Sequence, residues 1–203
     1  MASTLALDPH GERRVLADLV RVPLGSRTRE AALVLGGAAL TGLAAQISIP
    51  VHGSPVPVTG QTFGVLLVGA ALGARRGAAS MALYLLAGFV GVPGFAGGTT
   101  GSIHLATLGS LVGFILAGAL VGRLAERGAD RSPWRTALTM VAGNLVIYAC
   151  GVPYLAVSAH LPASAALHYG LTVFLLGDAL KILLAAGLLP SAWKLAGRRR
   201  VAD

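Results

Sequence analysis

The chain has 203 residues, of which 55% are hydrophobic and 12% are charged, and its mean hydropathy is +0.74. A soluble domain carries about 25% charged residues, so this chain has too few polar side chains to cover itself in water. The single cysteine excludes an internal disulfide. The formal net charge of +8 fits either nucleic acid or an anionic membrane surface. The placement of the charges decides between them.

Charged residues divide the chain into long neutral blocks. Residues 31–74, 77–122 and 136–177 contain no Asp, Glu, Lys or Arg. One membrane-spanning helix needs about 20 apolar residues, so each block has room for two, the third block when it is extended to Trp193. We therefore predict an all-α integral membrane bundle of six helices. The predicted spans are 31–48, 61–74, 77–92, 104–122, 134–150 and 170–190.

The basic residues predict the topology. Fifteen of the 16 Lys and Arg residues lie in the N-terminal segment, the loops after the second and fourth spans, or the C-terminal tail. An even number of spans places all four on one side, which the positive-inside rule identifies as the cytoplasm. We expect a cytoplasmic N-terminal segment at 1–30, a transmembrane domain at 31–193 and a basic cytoplasmic tail at 194–203. The protein would be a multi-pass protein of the cell membrane. Nucleic-acid binding would instead need a basic face on a soluble domain.

Small residues recur at helical spacing in the first span. Gly37, Thr41 and Ala45 share one face, and Ala38 and Gly42 lie beside it. Small residues at this spacing let a second helix approach closely. The face therefore either packs inside the bundle or forms an interface with a partner protein, and we predict the interface.

The first outer loop is neutral and contains three prolines, which stiffen it. Its last part, from Pro57 to Phe63, has the pattern of an extended strand that leads into the second span. Thr59 and Gln61 offer hydrogen bonds, and Phe63 offers an apolar ring. Non-helical backbone at membrane depth is tolerated where it lines a cavity, so we expect these three side chains to bind substrate.

The second outer loop, residues 93–101, is rich in glycine. Gly97 and Gly98 would allow it to close over a pocket as a lid, and the alternative is an ordinary flexible turn. No phosphate-binding lysine follows, so this is not a nucleotide motif. The five histidines lack metal-ligand spacing, and no nucleophile motif is present. We expect neither a metal site nor an enzyme.

Two ionisable residues interrupt the last span. Asp178 and Lys181 are three residues apart, so they share one helix face. Charges inside the bilayer cost a few kcal/mol each and usually mark a functional site, although a structural salt bridge is the alternative. Lys181 can neutralise a carboxylate, and Asp178 can accept N–H donors. Asn144 and Tyr148 in the fifth span are further candidates, with interhelical hydrogen bonding and packing as their alternatives.

Five segments carry a family resemblance. They are residues 45–50 (AQISIP), 55–63 (PVPVTGQTF), 95–98 (FAGG), 143–148 (GNLVIY) and 177–181 (GDALK). In this order they resemble the BioY family, the biotin-binding S components of energy-coupling factor (ECF) transporters. One stretch departs from that family, because residues 105–110 read LATLGS where the family commonly has Gly-Pro-Thr-Gly-Gly-Tyr.

The resemblance implies a membrane-embedded subunit that captures biotin from outside. It also implies partners, namely a transmembrane coupling subunit and two cytoplasmic ATPases that use the ATP, so that this chain needs no cofactor. The acidic and basic residues of the family's last helix are associated with biotin and correspond to Asp178 and Lys181. Two alternatives remain from other classes: a stand-alone proton-coupled transporter of a small carboxylate vitamin, and a membrane enzyme.

Overall fold

A computed structural model describes residues 15–19, 25–101 and 106–202, with side chains described as far as Ala196. This part of the chain is mostly helical. The α-helices are α1 Ser26–Ala45, α2 Gln61–Leu72, α3 Ala74–Phe89, α4 Leu108–Glu126, α5 Pro133–Ser158, α6 Ala163–Gly170 and α7 Leu175–Ala202. Short 3-10 turns cover Leu16–Leu19, Ala96–Gly98 and Thr172–Phe174. Two-residue strands β1 (Ser48–Ile49) and β2 (Val58–Thr59) pair antiparallel.

The six longest helices of the described chain coincide with the six predicted spans, so the predicted all-α bundle is confirmed. Within the described residues, three stretches qualify as membrane spans by length and hydropathy: Leu108–Glu126, Pro133–Ser158 and the run Ala163–Ala196. α2 is as apolar but has only 12 residues. The helices are therefore of unequal length.

Several helix ends differ from the predicted spans. α1 begins at Ser26 instead of residue 31, and α5 continues to Ser158 instead of ending at residue 150. α7 begins five residues later than predicted and runs to Ala202, twelve residues past the predicted end at 190. Prolines lie inside α5 and α7, where membrane helices tolerate them because neighbours satisfy the freed backbone groups. α1 and α7 are extended by turns that contain charged residues, which hydropathy does not include in a span, whereas the extension of α5 is apolar and continues past Gly151 and Pro153.

A contact between glycines lets α2, α3 and α4 approach one another closely. A Cβ on Gly69 would lie 2.8 Å from the carbonyl oxygen of Gly118, and one on Gly77 would lie 3.1 Å from the same atom. A side chain at Gly69 would therefore force the backbone of α4 to shift, and one at Gly77 would be tighter than an ordinary contact, as at other close helix contacts in membranes. Around it lies a buried core that includes Met81 and Val121.

The predicted partner face of α1 lies largely inside the bundle. Gly37, Thr41 and Ala45 are buried, and a Cβ on Gly37 would collide with Ser80 of α3. Ala38 and Gly42 are half-buried. The first three residues thus serve internal packing, the alternative that their spacing had also allowed. The reason is helix rotation, which sequence spacing does not determine.

An ionic cluster closes the end of the bundle that carries the basic loops. The guanidinium of Arg76, at the start of α3, donates to both carboxylate oxygens of Glu30 at 2.7 Å and to Asp18 at 2.7 Å. Arg29 donates to the carbonyl of Ala17 at 2.6 Å. The hydrogen bond from Arg76 lowers the pKa of Glu30 below its usual value. The short 3-10 turn at Leu16–Leu19 is thereby fastened to α1 and α3.

A second contact at this end joins α7 to the loop between α4 and α5. The indole N–H of Trp193 donates to Asp130 at 2.6 Å, and the guanidinium of Arg131 lies 4.0 Å from the centre of the Trp193 ring. Asp130 is fully buried, and this burial raises the pKa of its carboxyl group. This contact therefore fastens the C-terminal part of α7 to the α4–α5 loop.

Candidate functional site

A cavity of about 310 Å³ lies at the end of the bundle opposite the basic loops. Its wall is built from the α1–α2 loop, the described part of the α3–α4 loop, the N-terminal half of α4, the C-terminal half of α5, and the connection into α7. The lining residues are Pro55, Val56, Pro57, Thr59, Gln61, Thr62, Phe95, Ala96, Thr99, Ala106, Thr107, Ser110, Leu111, Phe114, Ile147, Tyr148, Gly151, Leu155, Gly170 and Phe174. This volume falls within the range of about 300–1,000 Å³ typical of small-molecule sites.

The proline-rich loop forms one wall of the cavity. β2 ends at Thr59, and α2 begins at Gln61, so the extended backbone is shorter than the predicted stretch to Phe63. Thr59 Oγ1 accepts from the backbone N–H of Gln61 at 3.3 Å and donates to Gln61 Oε1 at 2.8 Å. Gln61 Nε2 in turn donates to Tyr84 at 2.7 Å. Both polar side chains are therefore held rigidly at the cavity.

The glycine-rich loop forms a second wall, anchored by an aromatic ring. Phe95 is 2% exposed, and its ring lies against Gly88 and Gly101, where any side chain would collide with it. Gly97 and Gly98 have φ of +65° and +74°, a conformation that disfavours other residues. These two glycines are not themselves lining residues; they turn the chain so that the flanking residues Ala96 and Thr99 face the cavity.

The remaining wall is mainly apolar. Phe114 and Leu111 of α4 and Ile147 of α5 are buried beside the cavity. Ser110 and Tyr148 add hydroxyl groups to this surface. Such a wall, apolar with a few fixed polar groups, suits a ligand that has an apolar body and localised hydrogen-bonding ends.

The stretch that departs from the family pattern contributes to this wall. Ala106, Thr107 and Ser110 are lining residues. Leu105 lies outside the described residues. The departure from the family pattern therefore falls on the cavity surface itself.

Asp178 and Lys181 lie one layer behind the wall. Their side chains form an ion pair with Nζ and Oδ1 2.9 Å apart, and Asp178 is only 3% exposed. Thr62 Oγ1 accepts from Lys181 Nζ at 2.7 Å and lies 3.3 Å from Asp178 Oδ1. The hydroxyl of Tyr148 donates to Asp178 Oδ2. The predicted pair thus reaches the cavity through Thr62 and Tyr148.

Asn144 and Phe63 border a different, very small void of about 10 Å³, together with Lys181. Asn144 is 5% exposed, and its side-chain oxygen has no hydrogen-bond partner among the described residues. Phe63 packs against the core from the same side. These two predicted residues therefore lie near the ionic pair, away from the main cavity.

Sequence patterns did not point to several residues of the site. Thr62 connects the ionic pair to the cavity, Tyr84 connects Gln61 to the α3–α4 loop, and Phe114 lines the wall. Thr62 lies between the predicted residues Gln61 and Phe63, and this position was the only indication of its role in the sequence. Tyr84 and Phe114 lie in apolar spans where only helix rotation determines which way a ring points. Among the described residues there is no cluster of His, Cys, Asp or Glu that could hold a metal.

An apolar helical bundle with a cavity at one end, walled in part by the described residues of two loops, defines a membrane-embedded protein that binds a small molecule. The comparisons with known proteins agree. The BioY family description matches residues 15–198, and this chain belongs to the BioY family.

Three relatives from different organisms match this chain over at least 75% of their own length. "Biotin transporter BioY" of Rhizobium etli is 38% identical over 141 residues, which are 65% of this chain and 75% of the relative. "Biotin transporter BioY2" of Lactococcus lactis is 34% identical over 155 residues, 75% of this chain and 83% of the relative. "Biotin transporter BioY" of Thermotoga maritima is 39% identical over 150 residues, 73% and 86% respectively.

One solved structure has the same fold. It is described as the S-component for biotin from an ECF-type ABC transporter, and it superposes with a TM-score of 0.75 over 86% of this chain and 95% of its own. The two sequences are 20% identical. The family resemblance and the bundle predicted from sequence are both confirmed. Membership of a transporter family also confirms the expectation that the chain is not an enzyme.

Proposed function

We propose that this chain takes up biotin as the substrate-capture subunit of an ECF transporter. The observation that carries the proposal is the cavity of about 310 Å³ whose walls contain the family-like segments 55–63 and 95–98. The names of the relatives support biotin as the ligand. Biotin has an apolar ring system with a ureido group at one end and a carboxylate at the other, which matches a mainly apolar wall with a few fixed polar groups.

The hydrogen bonds at the wall suggest how the ionic pair recognises the ligand. The hydroxyl hydrogen of Tyr148 is committed to Asp178, and that of Thr62 points to the same carboxylate. Each hydroxyl oxygen therefore offers a lone pair to the cavity. The N–H groups of a ureido ring are donors of the right kind for these acceptors. In this role Asp178 orients the two hydroxyl groups, and Lys181, which is not a lining residue of the cavity, balances the charge of Asp178 from behind the wall.

The partners follow from the same proposal. A transmembrane coupling subunit and two cytoplasmic ATPases would supply the energy of ATP, which this chain would not use itself. The docking surface would be the outward side of α1, where Leu35, Leu40 and Leu43 are exposed and Gly36 has no atom within reach of an added Cβ. Of the predicted interface residues, Ala38 and Gly42 border this surface.

The same proposal places the chain in the plasma membrane with both termini in the cytoplasm. Its support is the separation of charge along the bundle: the basic loops lie at one end and the cavity at the other. The positive-inside rule assigns the basic end to the cytoplasm, so the cavity would face outward, where the vitamin arrives.

Equilibrium binding of radiolabelled biotin to the purified, detergent-solubilised chain tests the proposal. We expect retention of biotin in excess of lipoate, another carboxylate vitamin, and about tenfold weaker binding by Thr62→Val, which removes a polar acceptor from the wall. Leu180→Ala, at an exposed position of α7, is the matched control. A wild-type chain that retains no biotin would refute the proposal.

Reconstitution separates the two transport mechanisms. In proteoliposomes, we expect biotin uptake only with the coupling subunit, the ATPases and ATP. Uptake by the chain alone, driven by a proton gradient and abolished by an ionophore, would establish the secondary transporter instead.

A further inference from the structure

A chain of hydrogen bonds leaves the cavity wall at Gln61 and ends on the backbone of the α3–α4 loop. Gln61 Nε2 donates to Tyr84 Oη at 2.7 Å, and Tyr84 Oη donates to the carbonyl oxygen of Gly94 at 2.9 Å. Tyr84 is 4% exposed, and its ring makes an edge contact with Phe95 at 5.2 Å between centroids. Tyr84 therefore joins two walls of the cavity from behind.

These bonds determine which way the amide of Gln61 faces. A phenol has one hydrogen, and the carbonyl of Gly94 can only accept, so that hydrogen is committed to Gly94. Tyr84 Oη must then accept from Gln61, which places the amide nitrogen on this side. Thr59 Oγ1 donates to the other end of the amide, Oε1, at 2.8 Å. Turning the amide over would place its oxygen against Tyr84 Oη, whose hydrogen is committed to Gly94, and would break the bond between Gln61 and Tyr84.

The orientation gives the cavity a defined polarity. An amide nitrogen carries two hydrogens, and Tyr84 receives one of them. The described part of the chain provides no acceptor for the second, and Gln61 is a lining residue. Gln61 therefore offers the cavity a donor, whereas Thr62 and Tyr148 offer acceptors. A ligand that carries both kinds of group would be oriented by this difference.

We propose that Tyr84 is a positioning residue that selects for a hydrogen-bond acceptor on the ligand. It holds the amide of Gln61 as a donor, and it fastens the 94–99 segment to that amide. This inference rests on the proposed function, because the acceptor it selects is either the ureido carbonyl or the carboxylate of biotin.

Tyr84→Phe tests the selection, because it keeps the ring against Phe95 and removes only the hydroxyl. Affinities are measured for biotin, for 2-iminobiotin, in which a guanidinium replaces the ureido group and so removes its carbonyl acceptor, and for biotinol, in which an alcohol replaces the carboxylate. Loss of one hydrogen bond changes an equilibrium constant about fivefold. We therefore expect the ratio of the affinity for biotin to the affinity for one of the analogues to fall about fivefold in the variant. Tyr169→Phe, outside this hydrogen-bond chain, should retain both preferences.

The two analogues distinguish the two acceptors. If Tyr84→Phe loses the preference for biotin over 2-iminobiotin, the ureido carbonyl lies at Gln61. If it loses the preference for biotin over biotinol, the carboxylate lies there. A purely structural role would weaken all three ligands by the same factor. Equal weakening, or two unchanged preferences, would overturn the proposal.

Amide hydrogen exchange without ligand tests the link to the loop separately. The amides of Phe95, Gly98 and Gly101 are bonded to the carbonyls of Thr99, Phe95 and Gly88. We expect these amides to exchange about fivefold faster in Tyr84→Phe, and at the wild-type rate in Tyr169→Phe. Unchanged exchange would overturn the role of Tyr84 even if biotin binds. Conversely, a wild-type chain without biotin binding refutes the proposed function, while the exchange rates still decide whether Tyr84 holds the loop.

Discussion

Removing the charge of Lys181 should destabilise the protein strongly. Its ammonium lies 2.9 Å from a carboxylate of Asp178 that is 3% exposed. Lys181→Met leaves that carboxylate buried without a counter-charge, and breaking such a pair costs about 3–5 kcal/mol. The hydroxyls of Thr62 and Tyr148 still solvate Asp178, so we expect the lower value, about 3 kcal/mol. At about 2–4 °C per kcal/mol for a chain of this size, the melting temperature should fall by about 6–12 °C.

Thermal unfolding in detergent, followed by tryptophan fluorescence, measures this loss. The matched control is Lys194→Met, which removes an exposed lysine from the same helix and should change stability by less than about 0.5 kcal/mol. The double variant Asp178→Asn/Lys181→Met removes both charges and should recover most of the loss, because no buried ion is left unpaired. The reasoning is wrong if Lys181→Met melts at the same temperature as Lys194→Met, or if the double variant melts as low as Lys181→Met.

Three further predictions concern the rest of the bundle. Arg76→Lys should lower stability by about 1–3 kcal/mol, because lysine cannot reproduce the two-pronged bond to a carboxylate, whereas exposed Arg75→Lys should melt like wild type. Burial raises the pKa of Asp130, so the folded protein holds this proton more tightly than the unfolded chain, and stability falls as pH rises through the interval between the two pKa values. Asp130→Asn should therefore melt higher than wild type at pH 7.5, by a margin that vanishes near pH 4; a margin independent of pH would contradict this. Gly36→Leu should fold and bind biotin but co-purify poorly with the coupling subunit. Gly37→Leu should fail to accumulate, because its side chain would collide with Ser80. Equal expression and assembly of both variants would contradict the proposed docking surface.

The ionic pair shows how far sequence reasoning reached at the site. Two opposite charges in an otherwise neutral span were recognisable because such charges are costly in lipid. Their spacing of three residues also predicted that they lie on one face, and the structure pairs them directly. Their burial behind Thr62 and Tyr148 was not predictable, because it depends on how α2 and α5 pack against α7.

The first span shows the opposite case. Its small residues correctly indicated a close helix contact, but their spacing did not distinguish a contact inside the bundle from one with another protein. Gly37 and Thr41 face α3, where Thr41 lies 3.8 Å from the sulfur of Met81. The face one residue away, at Gly36, is the open one.

The sequence by itself determined the helical bundle, the end that carries the basic loops, and the family. These properties follow from local hydropathy, from charge placement and from short motifs, each of which is contained in neighbouring residues. Only the tertiary structure decided which side chains form the cavity, because that depends on the rotation of each helix and on contacts between distant segments. Gln61, Tyr84 and Gly94 belong to three different elements, and their joint hydrogen-bond chain exists only once the bundle has assembled.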